Sequence, residues 1–76
     1  MKEMIELIAQ ALVDQPERVS VKEVGGQNTA ILELKVAKDD IGKVIGKRGR
    51  TVGALRIILS AVSAKSKKRT VLEVVE

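Results

Sequence analysis

Between Ile41 and Val52 an apolar helical pattern is interrupted twice by glycine, at Gly46 and Gly49, with Lys47 and Arg48 between them. Ile41, Val44 and Ile45 recur at helical spacing before the interruption, and Val52, Leu55 and Leu59 after it. Glycine inside a helical segment is destabilising, so Gly42, Gly46 and Gly49 crowded into Ile41–Val52 require a reason. Gly46 and Gly49 can adopt backbone conformations costly to other residues, and they leave room for another chain to come close. The pattern therefore predicts two helices joined by a tight turn. The second helix opens with unpaired N–H groups facing the same side as two cations, an arrangement suited to phosphate.

The rest of the 76-residue chain frames that turn. Met4/Ile5, Ile8 and Ala11/Leu12 share one face of an amphipathic helix over residues 2–13, which Asp14-Gln15-Pro16 ends. Val19 and Val21 alternate with Ser20 and Lys22 in a short strand. Gly25-Gly26-Gln27-Asn28 turns the chain, and Leu32, Leu34 and Val36 face one way in a second strand. Residues 18–36 therefore read as an antiparallel hairpin. Asp39 and Asp40 suit a helical first turn, where capping or solvation accounts for them. After the glycine turn a helix runs from about Arg50 to Ala64 with the core stripe Val52, Leu55, Leu59 and Val62. Ser66-Lys67-Lys68-Arg69 is a polar connection, and Thr70 to Val75 forms a closing strand with Leu72 and Val74 inward. A helical pair joining two strands favours a right-handed crossover and parallel pairing. The expected fold is α+β in the order α-β-β-α-α-β, a three-stranded mixed sheet with three helices on one face, and residues 1–76 form one domain.

Charge is distributed unevenly. Residues 1–37 carry a balance of −2, residues 38–69 of +8 and residues 70–76 of −2, giving the net +4. A basic middle between acidic flanks predicts a localised anion-binding face. The chain has no His, Cys, Phe, Tyr or Trp. That removes the usual transition-metal ligands, the usual neutral-pH base and any aromatic stacking platform. The lack of cysteine fits a reducing cytoplasm. The acidic residues of MKEMIELIAQALVDQ do not suit a secretion signal, and no apolar run approaches a membrane span.

IGKVIGKRGRTV resembles the signature of KH RNA-binding domains, whose GXXG loop clamps four backbone nucleotides of a single strand. The element order resembles the type II, prokaryotic arrangement, and the resemblance covers essentially the whole chain. The length and the closing TVLEVVE resemble the small bacterial KhpA-like group. The resemblance implies a non-catalytic cytoplasmic binder of single-stranded RNA, with single-stranded DNA also within reach of KH folds, acting in RNA chaperoning, post-transcriptional control or cell shape. It implies pairing with itself or with a larger KH-containing partner, and no cofactor or metal.

Carried over by position, Gly46 and Gly49 shape the clamp, and Lys47 and Arg48 meet phosphates. Ile45 and Val52 lie at the floor of an aliphatic groove with Ile41 and Val44. Lys43 and Arg50 flank the clamp, and Lys67, Lys68 and Arg69 extend the phosphate track. Arg56 is placed on the wet side of its helix.

Other readings fare worse. A Walker loop needs four residues between its first glycine and a Gly-Lys pair followed by Ser or Thr. Here only three residues separate Gly42 from Gly46, and Arg48 follows Lys47. Asp39 and Asp40 point apart on a helix, and Glu33 and Glu73, although expected near each other on the outer sheet face, have no catalytic partner. The serious alternative is a protein-interaction module acting through homo- or heterodimerisation. Ile57 and Ile58 extend the apolar surface of the third helix beyond its core stripe, and Val24, Ile31 and Val75 do so on the sheet.

Overall fold

The computed structural model describes residues 1–65 and 67–75, so Ser66 of the polar connection and Glu76 lie outside the described residues. The elements are α1 (Lys2–Leu12), β1 (Ser20–Gly25), β2 (Thr29–Lys35), α2 (Ile41–Ile45), α3 (Arg50–Ser63) and β3 (Arg69–Val75). Short 3₁₀ turns at Pro16–Arg18, Lys38–Asp40 and Lys47–Gly49 join them. The sheet order is β1-β2-β3, with β1 antiparallel and β3 parallel to β2. This is the expected α+β mixed sheet, and the helical pair α2–α3 supplies the crossover.

Alternation along the strands sorts the two faces of the sheet. Val21, Ala30, Leu32, Leu34 and Leu72 are buried against the helices, with Ile5 and Ala9 of α1, Val44 of α2, and Val52, Leu55 and Leu59 of α3. The opposite face carries the cross-strand rows Val24–Ile31–Val71 and Lys22–Glu33–Glu73. Glu33 and Glu73 therefore do sit opposite one another, as expected.

Three expectations about burial are corrected. The last turn of α1 leaves Ala11 and Leu12 exposed, because the helix ends there and Val13 packs on the core in their place. Val62 is 43% exposed, and Ser63 takes the buried position instead. A stripe continuing from Leu55 and Leu59 by steps of four reaches residue 63. A serine is tolerated there because its Oγ donates to the Ser60 carbonyl at 3.3 Å.

Asp40 is the third. Its carboxylate makes no helix cap and is not solvated; the residue is only 1% exposed. Oδ1 and Oδ2 accept the backbone N–H groups of Asp14 and Gln15 at 3.3 and 3.1 Å, and Lys43 Nζ donates to Oδ1 at 3.3 Å and to Asp14 Oδ2 at 2.5 Å. Asp40 thus pins the chain leaving α1 to the start of α2, and so helps to fix where the glycine turn begins. Burial alone would raise its pKa. The two backbone N–H bonds and Lys43 outweigh burial, so the pKa is lowered. The Lys43 pKa is raised by its bonds to Asp14 and Asp40. The stabilisation from Asp40 is therefore present above the ordinary carboxylate range and lost as pH falls through its depressed native value. That from Lys43 is complete below the ordinary lysine value and lost as pH rises through the raised one. Asp40→Asn is expected to lower the unfolding temperature at neutral pH by about 5–10 °C, the scale of one lost charge-assisted bond in a domain this small. The gap from the parent should narrow on acidification. Thermal unfolding followed by circular dichroism at a series of pH values checks both expectations.

Candidate nucleic-acid interface

The turn between α2 and α3 owes its shape to its glycines. Gly46 has φ 78° and ψ 169°, a region closed to residues with a Cβ, and a Cβ there would sit 2.7 Å from Thr51 Cβ and 2.9 Å from Thr51 N. Gly49 is left-handed at φ 72° and ψ 16°, but nothing lies within 4 Å of where its Cβ would be. The two glycines therefore have different jobs. Gly46 lets the chain pass against the first turn of α3, whereas Gly49 keeps an open surface. Arg48 between them is also left-handed, at φ 57°. The turn is closed by Gly49 N–H donating to the Gly46 carbonyl at 3.1 Å.

This backbone presents Lys47 and Arg48 to solvent, and with Arg50 they rim a shallow depression of about 290 Å³. At the same end the Arg50 N–H, the first of α3, donates to the Lys47 carbonyl. Ile45 is half-buried and packs against the core. Val52 is 7% exposed and belongs to the core itself. Lys43 is on the α1 side of α2, with its ammonium engaged by Asp14 and Asp40.

Lys67, Lys68 and Arg69 lie beside a different concavity, a cleft of about 510 Å³ between the C-terminal half of α3 and β3. Arg56, Ser60, Ser63 and Ala64 line one side, and Thr70, Val71 and Leu72 the other. Both Nε and Nη2 of Arg56 donate to the Leu72 carbonyl, at 3.3 and 3.2 Å. Arg56 is exposed, as expected of the wet side of its helix, and is also fastened to β3. Thr70 Oγ1 is buried with no hydrogen-bond partner among the described residues, which costs about 1–3 kcal/mol. Sequence reasoning set the basic loop beside a groove between helices and sheet but passed over Arg56 in its lining. Its only signal was the spacing Gly49, Gly53, Arg56, Ser60, one face of a helix bearing small residues and a single long cation.

The helix α3 thus has three faces. Val52, Leu55 and Leu59 belong to the core, and Arg56, Ser60, Ser63 and Ala64 border the cleft. Ala54, Ile57, Ile58, Ala61 and Val62 are exposed.

Comparison with known proteins places this architecture. The family described as KhpA/KhpB, KH domain matches residues 2–74. The chain is 51% identical over 75 residues to the RNA-binding protein KhpA of Clostridium perfringens, covering 99% of this chain and all (100%) of that one. It is 51% identical over 76 residues to that of Chlamydia pneumoniae, covering 100% and 97% of the two chains. The RNA-binding protein KhpA of Aquifex aeolicus is 47% identical over 76 residues, with 100% and 96% covered. No solved structure matches the chain significantly. With its glycine turn between two helices, its mixed sheet and a match across nearly its whole length, the chain belongs to the KhpA/KhpB family of KH domains.

Proposed function

We propose that residues 1–76 form one non-catalytic module that binds single-stranded RNA, holding the sugar-phosphate backbone on the Gly46-Lys47-Arg48-Gly49 turn. The observation that carries this reading is the open surface at Gly49 between two solvent-facing cations. Relatives named RNA-binding proteins support it. Lys47 and Arg48 supply charge at the tip and Arg50 extends it. Ile45 and the partly buried Ile41 form an aliphatic floor for roughly four nucleotides. Lys67, Lys68 and Arg69 continue the phosphate track at the far end of α3. Lys43 acts by holding α2 in place. Among the described residues no helix is long and apolar enough to cross a membrane. The module works in the cytoplasm on transcripts, as a chaperone or post-transcriptional regulator.

Each phosphate contact made by a cation lowers the salt dependence of binding when removed, by about 0.7 in log–log slope for a single strand. Lys47→Ala combined with Arg48→Ala should weaken binding of a short single-stranded RNA at least about tenfold and reduce the slope by about 1.4. Fluorescence anisotropy at several salt concentrations measures both. An unchanged affinity and slope would remove the turn from the interface.

A second role rests on the exposed face of α3. Ile57 is 72%, Ile58 40% and Val62 43% exposed, an apolar strip on the side away from the clamp. Such a strip is suited to a second copy of this chain or to another KH protein. Pairing would give one strand two clamps. Ile57→Asp should shift sedimentation equilibrium toward the monomer. A parent chain that is already monomeric at high micromolar concentration would count against pairing.

A further inference from the structure

We propose that Arg56 makes the cleft between α3 and β3 a selector for a base with an acceptor-only edge, guanine foremost, in the strand held by the Gly46–Gly49 turn. The proposal rests on the RNA-binding reading and adds to it the residue that discriminates. β3 is paired to β2 on one side only, so its outer edge carries backbone groups that no strand satisfies. Arg56 covers one of them by donating from Nε and Nη2 to the Leu72 carbonyl. The contact takes away the acceptor that an incoming amino group would use. It also holds the guanidinium plane in place, leaving both Nη1 hydrogens and the second Nη2 hydrogen as donors.

The charged part of the remaining lining has the same polarity. The charged side chains beside Arg56 are Lys67, Lys68 and Arg69, and no carboxylate is among the described lining residues. A donor-lined cleft disfavours ligands that present N–H groups. Guanine offers O6 and N7 side by side as acceptors, whereas adenine sets an amino donor beside N7 and cytosine presents an amino donor.

The placement suits a base of the clamped strand. Arg56 lies about 10 Å along α3 from Gly49 at ~1.5 Å per residue. Gly53, between them on the same face, has nothing within 4 Å of its Cβ position, so the chain has room to run from turn to cleft.

The test is anisotropy with octaadenylate and with the same oligomer carrying one central guanine, inosine or 7-deazaguanine. Guanine and inosine, which share O6 and N7, should bind the full chain about tenfold more tightly than adenine, the scale of one bidentate base contact. The 7-deaza analogue should lose most of the gain. Arg56→Lys keeps the charge but not the planar fork. It should bring the guanine and adenine oligomers to within about twofold at an unchanged salt slope. Equal affinities for guanine and adenine in the parent, or a preference that survives Arg56→Lys, would overturn the proposal. So would an Arg56→Gln variant that weakens all oligomers alike and lowers the slope by one contact, since that marks a phosphate contact only. The base-analogue series on the parent stands even if an Arg56 variant folds poorly. Equal binding of all oligomers that is still lost in the Lys47/Arg48 double variant would sink the selector alone. Binding of none would sink the RNA-binding reading and the selector with it.

Discussion

Replacing Gly49 with Asp is expected to leave the protein folded and to weaken RNA binding by about ten- to a hundredfold. The left-handed conformation at Gly49, φ 72° and ψ 16°, is one that Asp and Asn enter more readily than other residues with side chains. Nothing lies within 4 Å of the new Cβ, so the substitution meets no neighbour. Folding should lose no more than about 1 kcal/mol. The new carboxylate, however, would sit beside Lys47 and Arg48, the cations proposed to meet the phosphates. A like charge about 5 Å from a phosphate costs about 1–3 kcal/mol across the dielectric range of a protein surface. Circular dichroism and an anisotropy titration on one sample separate the two effects. A variant that folds and binds as well as the parent would show that the turn is not where the strand lies.

Gly46→Ala should behave in the opposite way, as a folding defect. The φ 78°, ψ 169° conformation is essentially reserved for glycine, at a cost of about 1–3 kcal/mol for other residues. The added methyl also meets Thr51, whose backbone N is 2.9 Å away and belongs to the first turn of α3. Backbone there cannot move without shifting the helix. A loss of about 2–3 kcal/mol is a large share of the ~4–11 kcal/mol expected of a chain this size. The unfolding temperature should fall by about 10–20 °C. Thermal unfolding within a few degrees of the parent would mean that the turn relaxes at little cost. The two glycines of one motif are thus expected to fail in different assays.

Much of this could be read from residue order, and the parts that could not have a common cause. The hairpin was legible because Leu32, Leu34 and Val36 alternate and two glycines follow Val24. The turn was legible because glycine in the middle of an apolar helical pattern has few explanations. Periodicity reports which face of one element is apolar, and it lost accuracy at element ends. There the face is set by what lies opposite, as Leu12 and Val62 show. It says nothing of groups that act between distant elements. Asp40 looked like one of two adjacent acids at a helix start, yet its partners are the backbone N–H groups of Asp14 and Gln15. Arg56 is exposed, as its helix position suggested, but nothing in the sequence showed that it also bonds the Leu72 carbonyl of β3. Both are long-range polar contacts to main chain, and a main-chain partner leaves no mark in the sequence.

The central claim is that one strand of RNA lies on the Gly46–Gly49 turn and runs along α3. Backbone amide resonances recorded while a short single-stranded RNA is titrated into the protein test it most directly. The account predicts the largest shifts over residues 45–51, continuing through Gly53 and Arg56 to Lys67–Thr70, with Ala54, Ile57, Ile58 and Ala61 little changed. Shifts confined to that exposed α3 face, or to the Val24–Ile31–Val71 face of the sheet, would contradict it.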